Sequence, residues 1–420
     1  MKASDIFTPG SLPQYTYFDR SDLNLEFRLL EAIETKGIIS SVAGPSKSGK
    51  TVLCESVIGQ RGMLLIPGGG ITSEPLFWDR IRTRLRLPEK QTTSAVASQG
   101  KEGSLKAEVG GSIYVAQAKA GSESKTTSAT QNSQTDTYDG PDGIGLLEYI
   151  RDSEYTIVID DFHYIEAGTQ RSLAEQLKEA ARQGTKIVIV SVTHRSDQAI
   201  RANPDLRGRV TSIDIPYWTP DELLAIPQKG LPLLNFSPDG AAIDRLVAES
   251  VSSPQLMQAL CLQLCRDHGA EYTLPELKGL NAGTTEITEV LQHTAAMANC
   301  QTAFDILLAG PKTRGAERTI YNLHDGQNGD VYFVLLKAIA FGEPKLSLKY
   351  AEIKERTENL VSGDAPRGVG ITEALQQMHR RVVERLGEDR VLEWDEEKET
   401  LSIPDPYFLY YLRWAEWPTR

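Results

Sequence analysis

Two stretches of unbroken apolar character dominate the hydrophobic pattern of the chain. Tyr155-Thr156-Ile157-Val158-Ile159 runs into Asp160-Asp161, and Lys186-Ile187-Val188-Ile189-Val190-Ser191-Val192 runs into Thr193-His194-Arg195. Runs of this kind, without polar alternation, predict strands buried on both faces of a parallel sheet. Between them residues 170–183 have helical spacing, and Gly184 stands where a left-handed residue ends a helix. A third β-prone run, Gly37-Ile38-Ile39-Ser40-Ser41-Val42-Ala43, precedes a stretch of helical character at 51–58. Strands alternating with helices predict an α/β fold, a parallel sheet with helices on both faces.

The pattern changes twice more. A helix closes at Leu85-Arg86-Leu87-Pro88, because proline disfavours helix in the residue before it. Residues 89–140 then turn rich in Ser, Thr, Gly, Ala and Gln, with too little apolar surface to offset the entropy of ordering. Within them Gly110-Gly111, between two β-compatible arms at 105–119, is a hairpin signal. Further on, Thr219-Pro220-Asp221-Glu222 starts a helix cleanly, with Thr as cap, Pro at the first position and Glu at the third. Near the C-terminus, helices are expected at 331–340, 349–361 and 372–386. On the last, Ile371, Leu375, Met378, Val382 and Leu386 share one face. A two-stranded hairpin follows, with Val391-Leu392-Glu393-Trp394 and Thr400-Leu401-Ser402-Ile403 as its arms.

Composition narrows this picture modestly. With 420 residues, 24% charged and 40% hydrophobic, the chain is ordinary globular material for two or three domains. A net charge of −12 argues against a chain-wide nucleic-acid footprint, leaving a local basic patch open. No apolar run reaches the length of a spanning helix, so no membrane contact is expected, and the N-terminus lacks an apolar signal core, so a cytoplasmic protein is expected. Four cysteines do not suggest a disulfide framework. Cys261, Cys265 and His268 would share a helix face, which makes a metal site conceivable. The surrounding Leu256, Met257, Leu260 and Leu264, and the lack of a fourth ligand, favour burial as small apolar residues.

The sharpest chemistry lies at Gly44-Pro45-Ser46-Lys47-Ser48-Gly49-Lys50-Thr51, a complete G-x-x-x-x-G-K-[ST] loop. Its glycines let consecutive backbone amides converge on phosphate oxygens, its lysine reaches the β- and γ-phosphates, and its threonine hydroxyl ligates Mg²⁺. An ordinary Gly/Ser-rich turn is the competing reading, disfavoured by the strand before and the helix after. Together with Val52 the loop forms the expected ATP site. Asp160, at the carboxyl end of an apolar strand, would hold Mg²⁺ with Thr51. Asp161 would orient or deprotonate the attacking water. A solvated Asp-Asp turn is the alternative for this pair. In a parallel sheet the loop after the 186–192 strand faces the ligand crevice, so Thr193 and Arg195 reach toward the γ-phosphate or simply cap the strand.

This constellation resembles the additional-strand P-loop ATPases, the AAA+ class and its STAND relatives, over about residues 15–270. Tyr17-Phe18-Asp19-Arg20 looks like the aromatic–Gly–Arg–Glu segment that lines the adenine pocket in these families, with Asp19 where they have Gly. The resemblance thus assigns Tyr17 and Arg20 to the nucleotide. Ser191-Val192-Thr193-His194-Arg195 looks like the STAND sensor, and Arg207-Gly208-Arg209-Val210 resembles the segment that supplies an arginine finger to a neighbouring subunit. Ser253-Pro254-Gln255-Leu256 occupies the place of the Gly-x-Pro or sensor-2 segment. Val251 or Ser252 stands where Gly is expected, and no arginine closely follows Pro254. The C-terminal helices and hairpin are similar to the winged-helix domain that closes many archaeal-type and STAND ATPases.

The resemblance implies an N-terminal segment at 1–36, an ATPase core at 37–218 carrying the insertion 89–140, a helical lid at 219–290, and linker helices with a winged helix at 291–420. It further implies an ATP-hydrolysing, Mg²⁺-dependent switch that forms a nucleotide-dependent homo-oligomer and controls a protein effector. Prokaryotic STAND-like proteins of this build act in signalling or antiphage defence. The insertion lies where pore loops and DNA-contacting hairpins project, so it serves assembly or grip, or is a surface loop without a role. The alternative function is a DNA-loading or remodelling AAA+ ATPase whose third C-terminal helix offers Gln376, Gln377, His379, Arg380 and Arg381 to a major groove. Against it, Asp395, Glu396, Glu397 and Glu399 would meet phosphate with the wrong charge. A nucleotide-binding scaffold without turnover is disfavoured, since Lys50, Thr51, Asp160 and Asp161 are all present.

Overall fold

A computed structural model describes residues 1–87, 90–95, 134–139, 143–192, 208–280, 283–312, 315, 317–387 and 390–418. Five parallel strands form the main sheet: β1 (Ile39–Gly44), β2 (Met63–Pro67), β5 (Thr156–Asp160), β6 (Lys186–Val192) and β7 (Val210–Asp214). Their spatial order is β2-β5-β6-β1-β7, so β6 lies between the phosphate-loop strand and the acidic strand. Ser40 is paired with Val188 on one side, and Ile39 with Val210 on the other.

The apolar runs follow from double coverage. Ile157, Ile159, Ile187 and Ile189 pack with Phe77, Trp78 and Ile81 of α4 (Glu74–Arg84), with Leu146 and Ile150 of α5 (Gly143–Asp152) and with Leu173 and Leu177 of α6 (Ala167–Arg182). Val158, Val188 and Val190 point the other way, onto Leu25 and Leu29 of α2 (Leu25–Glu34) and Leu53 and Cys54 of α3 (Lys50–Ile58). Alternate residues therefore serve opposite faces, which leaves no polar position between them. Gly184 ends α6 as expected, with φ at +104° and its amide donating to Ala181 O at 2.9 Å.

The insertion differs from its reading in one respect. β3 (Lys90–Ala95) pairs antiparallel with β4 (Gln134–Asp139), Lys90 opposite Asp139 and Ala95 opposite Gln134. Polar composition concealed these arms, although their threonines carry the β-branching that strands favour. The hairpin expected at 105–119 lies outside the described residues.

Beyond the sheet, α7 (Pro220–Gly230) opens with the capping box read from the sequence. Thr219 Oγ1 accepts from the Glu222 amide at 3.3 Å and the Glu222 carboxylate from the Thr219 amide at 2.8 Å. Then come α8 (Gly240–Glu249), α9 (Pro254–Asp267), α10 (Thr284–Ala296) and α11 (Gln301–Ala309). Three helices, α12 (Val331–Ala340), α13 (Tyr350–Leu360) and α14 (Gly368–Leu386), surround a small antiparallel sheet of β8 (Ser347–Lys349), β9 (Glu393–Asp395) and β10 (Thr400–Ser402), with β10 central. The last helix is α15 (Pro406–Trp414). One apolar core runs without interruption through α7–α15 and takes in Ala3 and Ile6 of α1 (Ala3–Ile6) and Phe7 just after it. Both sides of position 290 contribute to it. All four cysteines are buried, and Cys261 and Cys265 belong to this core, where burial pushes the Cys265 thiol up to about 12.

The N-terminal segment is fastened across the molecule by Arg20, whose side chain is only 4% exposed. Its Nε donates to Glu222 Oε1 at 2.7 Å and Nη2 to Oε2 at 3.1 Å, while Nη1 and Nη2 donate to the carbonyls of Pro216 (3.0 Å) and Tyr217 (3.1 Å). The guanidinium also lies 5.0 Å from the Trp218 ring centre. Removing one partner of a buried pair strands the other charge, so Arg20→Ala is expected to destabilise the fold by about 3 kcal/mol. Urea unfolding checks this; a midpoint unchanged from the parent would show the clamp to be dispensable.

Candidate functional site

The phosphate loop leaves β1 at Gly44. The Ile215 amide donates to Ala43 O at 2.7 Å, drawing the chain so close that a Cβ on Gly44 would sit 2.9 Å from Ile215 Cβ and O. Gly49 turns the loop into α3 with φ at +92°, a conformation that favours glycine. Lys50, 7% exposed, donates from Nζ to Gly44 O at 3.2 Å and Pro45 O at 2.7 Å. Burial pulls its ammonium down to about 8, opposed by Asp161 and Asp160. Trp218 Nε1 donates to Ser48 O at 3.0 Å, bracing the loop, and Ser48 Oγ is buried without a partner among the described residues.

The acidic strand delivers its carboxylates to the same place. Thr51 Oγ1 donates to Asp160 Oδ2 at 2.8 Å, and the Asp161 amide donates to Asp160 Oδ1 at 3.0 Å. Asp161 adopts a left-handed backbone at φ 53°, and its carboxyl is held above the usual carboxylate range by burial and by the Asp160 charge. Gly68, just after β2, makes this turn possible. Its amide donates to Asp160 O at 2.7 Å, and a Cβ there would meet Asp161 O at 2.5 Å. Gly68→Ala is therefore expected to cost about 1–3 kcal/mol and to displace the acidic pair. A melting temperature matching the parent's would show that the loop yields freely.

Ser48, Lys50, Thr51, Asp160, Asp161 and Trp218 line one cleft of about 750 Å³ at the carboxyl edge of the sheet. The residues present suit a nucleoside triphosphate: a tight loop with Gly44 and Gly49 at its turns, a Ser48 hydroxyl unpartnered among the described residues and a desolvated ammonium. Thr51 and Asp160 together offer the hard oxygen donors that Mg²⁺ takes beside phosphate.

The other expected site residues fall in several places. Tyr17 lines the cleft, but its hydroxyl donates to Glu26 Oε1 at 2.6 Å and lies 3.0 Å from Ser56 Oγ. Arg20 also lines it, with its guanidinium engaged in the clamp described above. Pro254 opens α9 on the cleft wall beside Gln255 and Gln258, and Val251 and Ser252, three and two residues before it, both adopt left-handed backbone. Arg209 stands at the amino end of β7, the sheet edge opposite Gly44 and Asp160. Thr193, Arg195 and Arg207 lie outside the described residues.

Sequence reasoning missed Gly68, Trp218 and Gln258. The run Gly68-Gly69-Gly70 after an apolar strand was a usable sign of close approach. Nothing local marks Trp218, or Gln258, which donates to Thr16 Oγ1 at 2.7 Å.

No family model matches the chain, and no curated protein matches it. Among solved structures it is similar to Cdc6p from Pyrobaculum aerophilum, at 11% identity over 98% of this chain and 97% of that one, with a TM-score of 0.40. It is similar also to a Walker-type ATPase of Pyrococcus abyssi (12% identity, 96% and 98% covered, TM-score 0.49). The ORC2 protein of Aeropyrum pernix in its ADP form gives 11% identity, 96% and 94% covered and a TM-score of 0.46. The strand order gives an α/β fold with a five-stranded parallel sheet, one strand interposed between β1 and β5.

Proposed function

We propose that this chain binds ATP with Mg²⁺ in the cleft and hydrolyses it, and that the C-terminal helices respond as a switch. The carrying observation is the 2.8 Å contact of Thr51 with Asp160, with Lys50 and Asp161 converging beside it. The loop amides and Lys50 bind the phosphates, and Thr51 and Asp160 hold the metal ion. That ion supplies charge neutralisation on the phosphate oxygens. Asp161 accepts the proton of the attacking water, its carboxylate raised toward the basicity a general base needs.

The helices and small sheet at 331–403 have the order helix, strand, helix, helix, strand, strand of a winged helix. We read this module as a protein-contact element. On α14, His379 Nδ1 accepts from the Trp394 amide at 3.3 Å and Arg381 Nε donates to Ile306 O at 3.0 Å, so two of the side chains a DNA groove would need are engaged internally. Arg209, at the amino end of β7 and away from its own cleft, we read as a contribution to a neighbouring copy in a nucleotide-dependent oligomer.

Titration of the intact chain with ATP and Mg²⁺, followed by phosphate release and light-scattering mass, tests this reading. Binding with slow release is expected. A chain that neither binds ATP nor releases phosphate would overturn it.

A further inference from the structure

The C-terminal module contributes part of the wall of the cleft that the phosphate loop lines. Ser347 of β8, Ser402 of β10 and Glu393 of β9 are register partners in a single row, and all three line the cleft with Ile403, Pro404 and Asp405. Directly opposed residues on neighbouring strands share one sheet face, so the row presents polar side chains together. Arg390 stands beside it, three residues before Glu393, and also lines the cleft.

Arg390 is loosely held. Its Nη1 lies 3.5 Å from Glu393 Oε1, longer than a charge-assisted hydrogen bond, and its Nε is buried without a partner among the described residues. The other arginine on the cleft wall, Arg20, has its guanidinium fully engaged. The start of α9 offers none: from Pro254 the first arginine is Arg266, in the last turn. Two lysines, Lys47 and Lys50, supply positive charge from the loop side, and neither has the planar fork that grips phosphate at two oxygens.

We propose that Arg390 is a phosphate ligand contributed to the cleft by the C-terminal module, with Glu393 as its partner when no phosphate is bound. Phosphate displaces Glu393, and the row Ser347–Ser402–Glu393 moves with the exchange. The nucleotide thereby couples to the module through one guanidinium. This rests on the reading of the cleft as a nucleotide site.

The test is equilibrium binding of ATP, ADP and adenosine to the intact chain and to Arg390→Ala, Arg390→Lys, Glu393→Gln and Lys50→Met, each checked for its melting temperature. Arg390→Ala is expected to weaken ATP about ten- to a hundredfold while leaving adenosine unchanged. Arg390→Lys, which keeps the charge without the fork, is expected to recover part of the loss and guards against misfolding. Glu393→Gln is expected to tighten ATP several-fold, because the competing carboxylate is gone. ATP affinity within twofold of the parent in Arg390→Ala, with Lys50→Met still deficient, would overturn the assignment of Arg390 and leave the ATP site standing. A parent chain that binds none of the three ligands would remove both.

Discussion

Lys50→Met is expected to weaken ATP binding about a hundredfold, and to make the ligand-free protein more stable at pH 7. The first effect follows from losing the only buried ammonium at the loop, since bonds to charged phosphate oxygens are among the stronger ones. The second follows from its environment. Burial pulls the ammonium down to about 8, well below an unfolded lysine, so keeping it charged at pH 7 opposes folding. The methionine retains the stem and drops the charge, for a gain on the order of 1–3 kcal/mol. Below about pH 8 the lysine is charged in both states and the penalty is fully present. Above that the folded protein releases its proton before the unfolded chain does, so the parent gains stability as pH rises toward the unfolded value. The advantage of Lys50→Met should therefore shrink between pH 8 and 10. Urea unfolding at pH 7 and pH 10 reads this directly, and a variant less stable than the parent at pH 7 would sink the argument.

Asp161→Asn is expected to leave ATP affinity nearly intact and to lower turnover by about 10²–10⁴, the range a positioned general base contributes. Asparagine is the right probe because it accepts the left-handed backbone at φ 53° that a branched residue would resist. It also relieves the like charge beside Asp160, so binding has no reason to fall. Single-turnover phosphate release separates the two effects, and release at the parent's rate would refute the role of Asp161.

Much of the site was written locally. The loop Gly44–Thr51 carries its chemistry in adjacent residues, and Asp160-Asp161 closes a strand whose apolar run is visible unaided. The Thr219–Glu222 cap needed only four residues. What remained hidden is non-local. Tyr17 and Arg20 resembled nucleotide-lining residues, and whether their polar ends face a ligand or Glu26 and Glu222 depends on packing across some two hundred positions for Arg20. Gly68 matters through a backbone in another strand, and the Ser347–Ser402–Glu393 row through a register no single segment encodes. The arms β3 and β4 were missed because pairing, rather than apolar content, defines them.

The continuous core from α7 to α15 has a mechanical meaning. Arg413 ties α15 to α8 by two contacts of 2.8 Å to Glu249 and adds bonds to Ala340 O and Gly342 O, so the helices beyond the sheet form one stiff arm. Among the described residues the chain crosses from sheet to arm at the N-terminal segment and again at 215–219, and Arg20 bolts the two crossings together. Arm and sheet are thus riveted at several points, by Arg20 to Glu222, by Lys229 Nζ to Tyr17 O and by Trp218 Nε1 to Ser48 O, so that the cleft lies along a fastened seam.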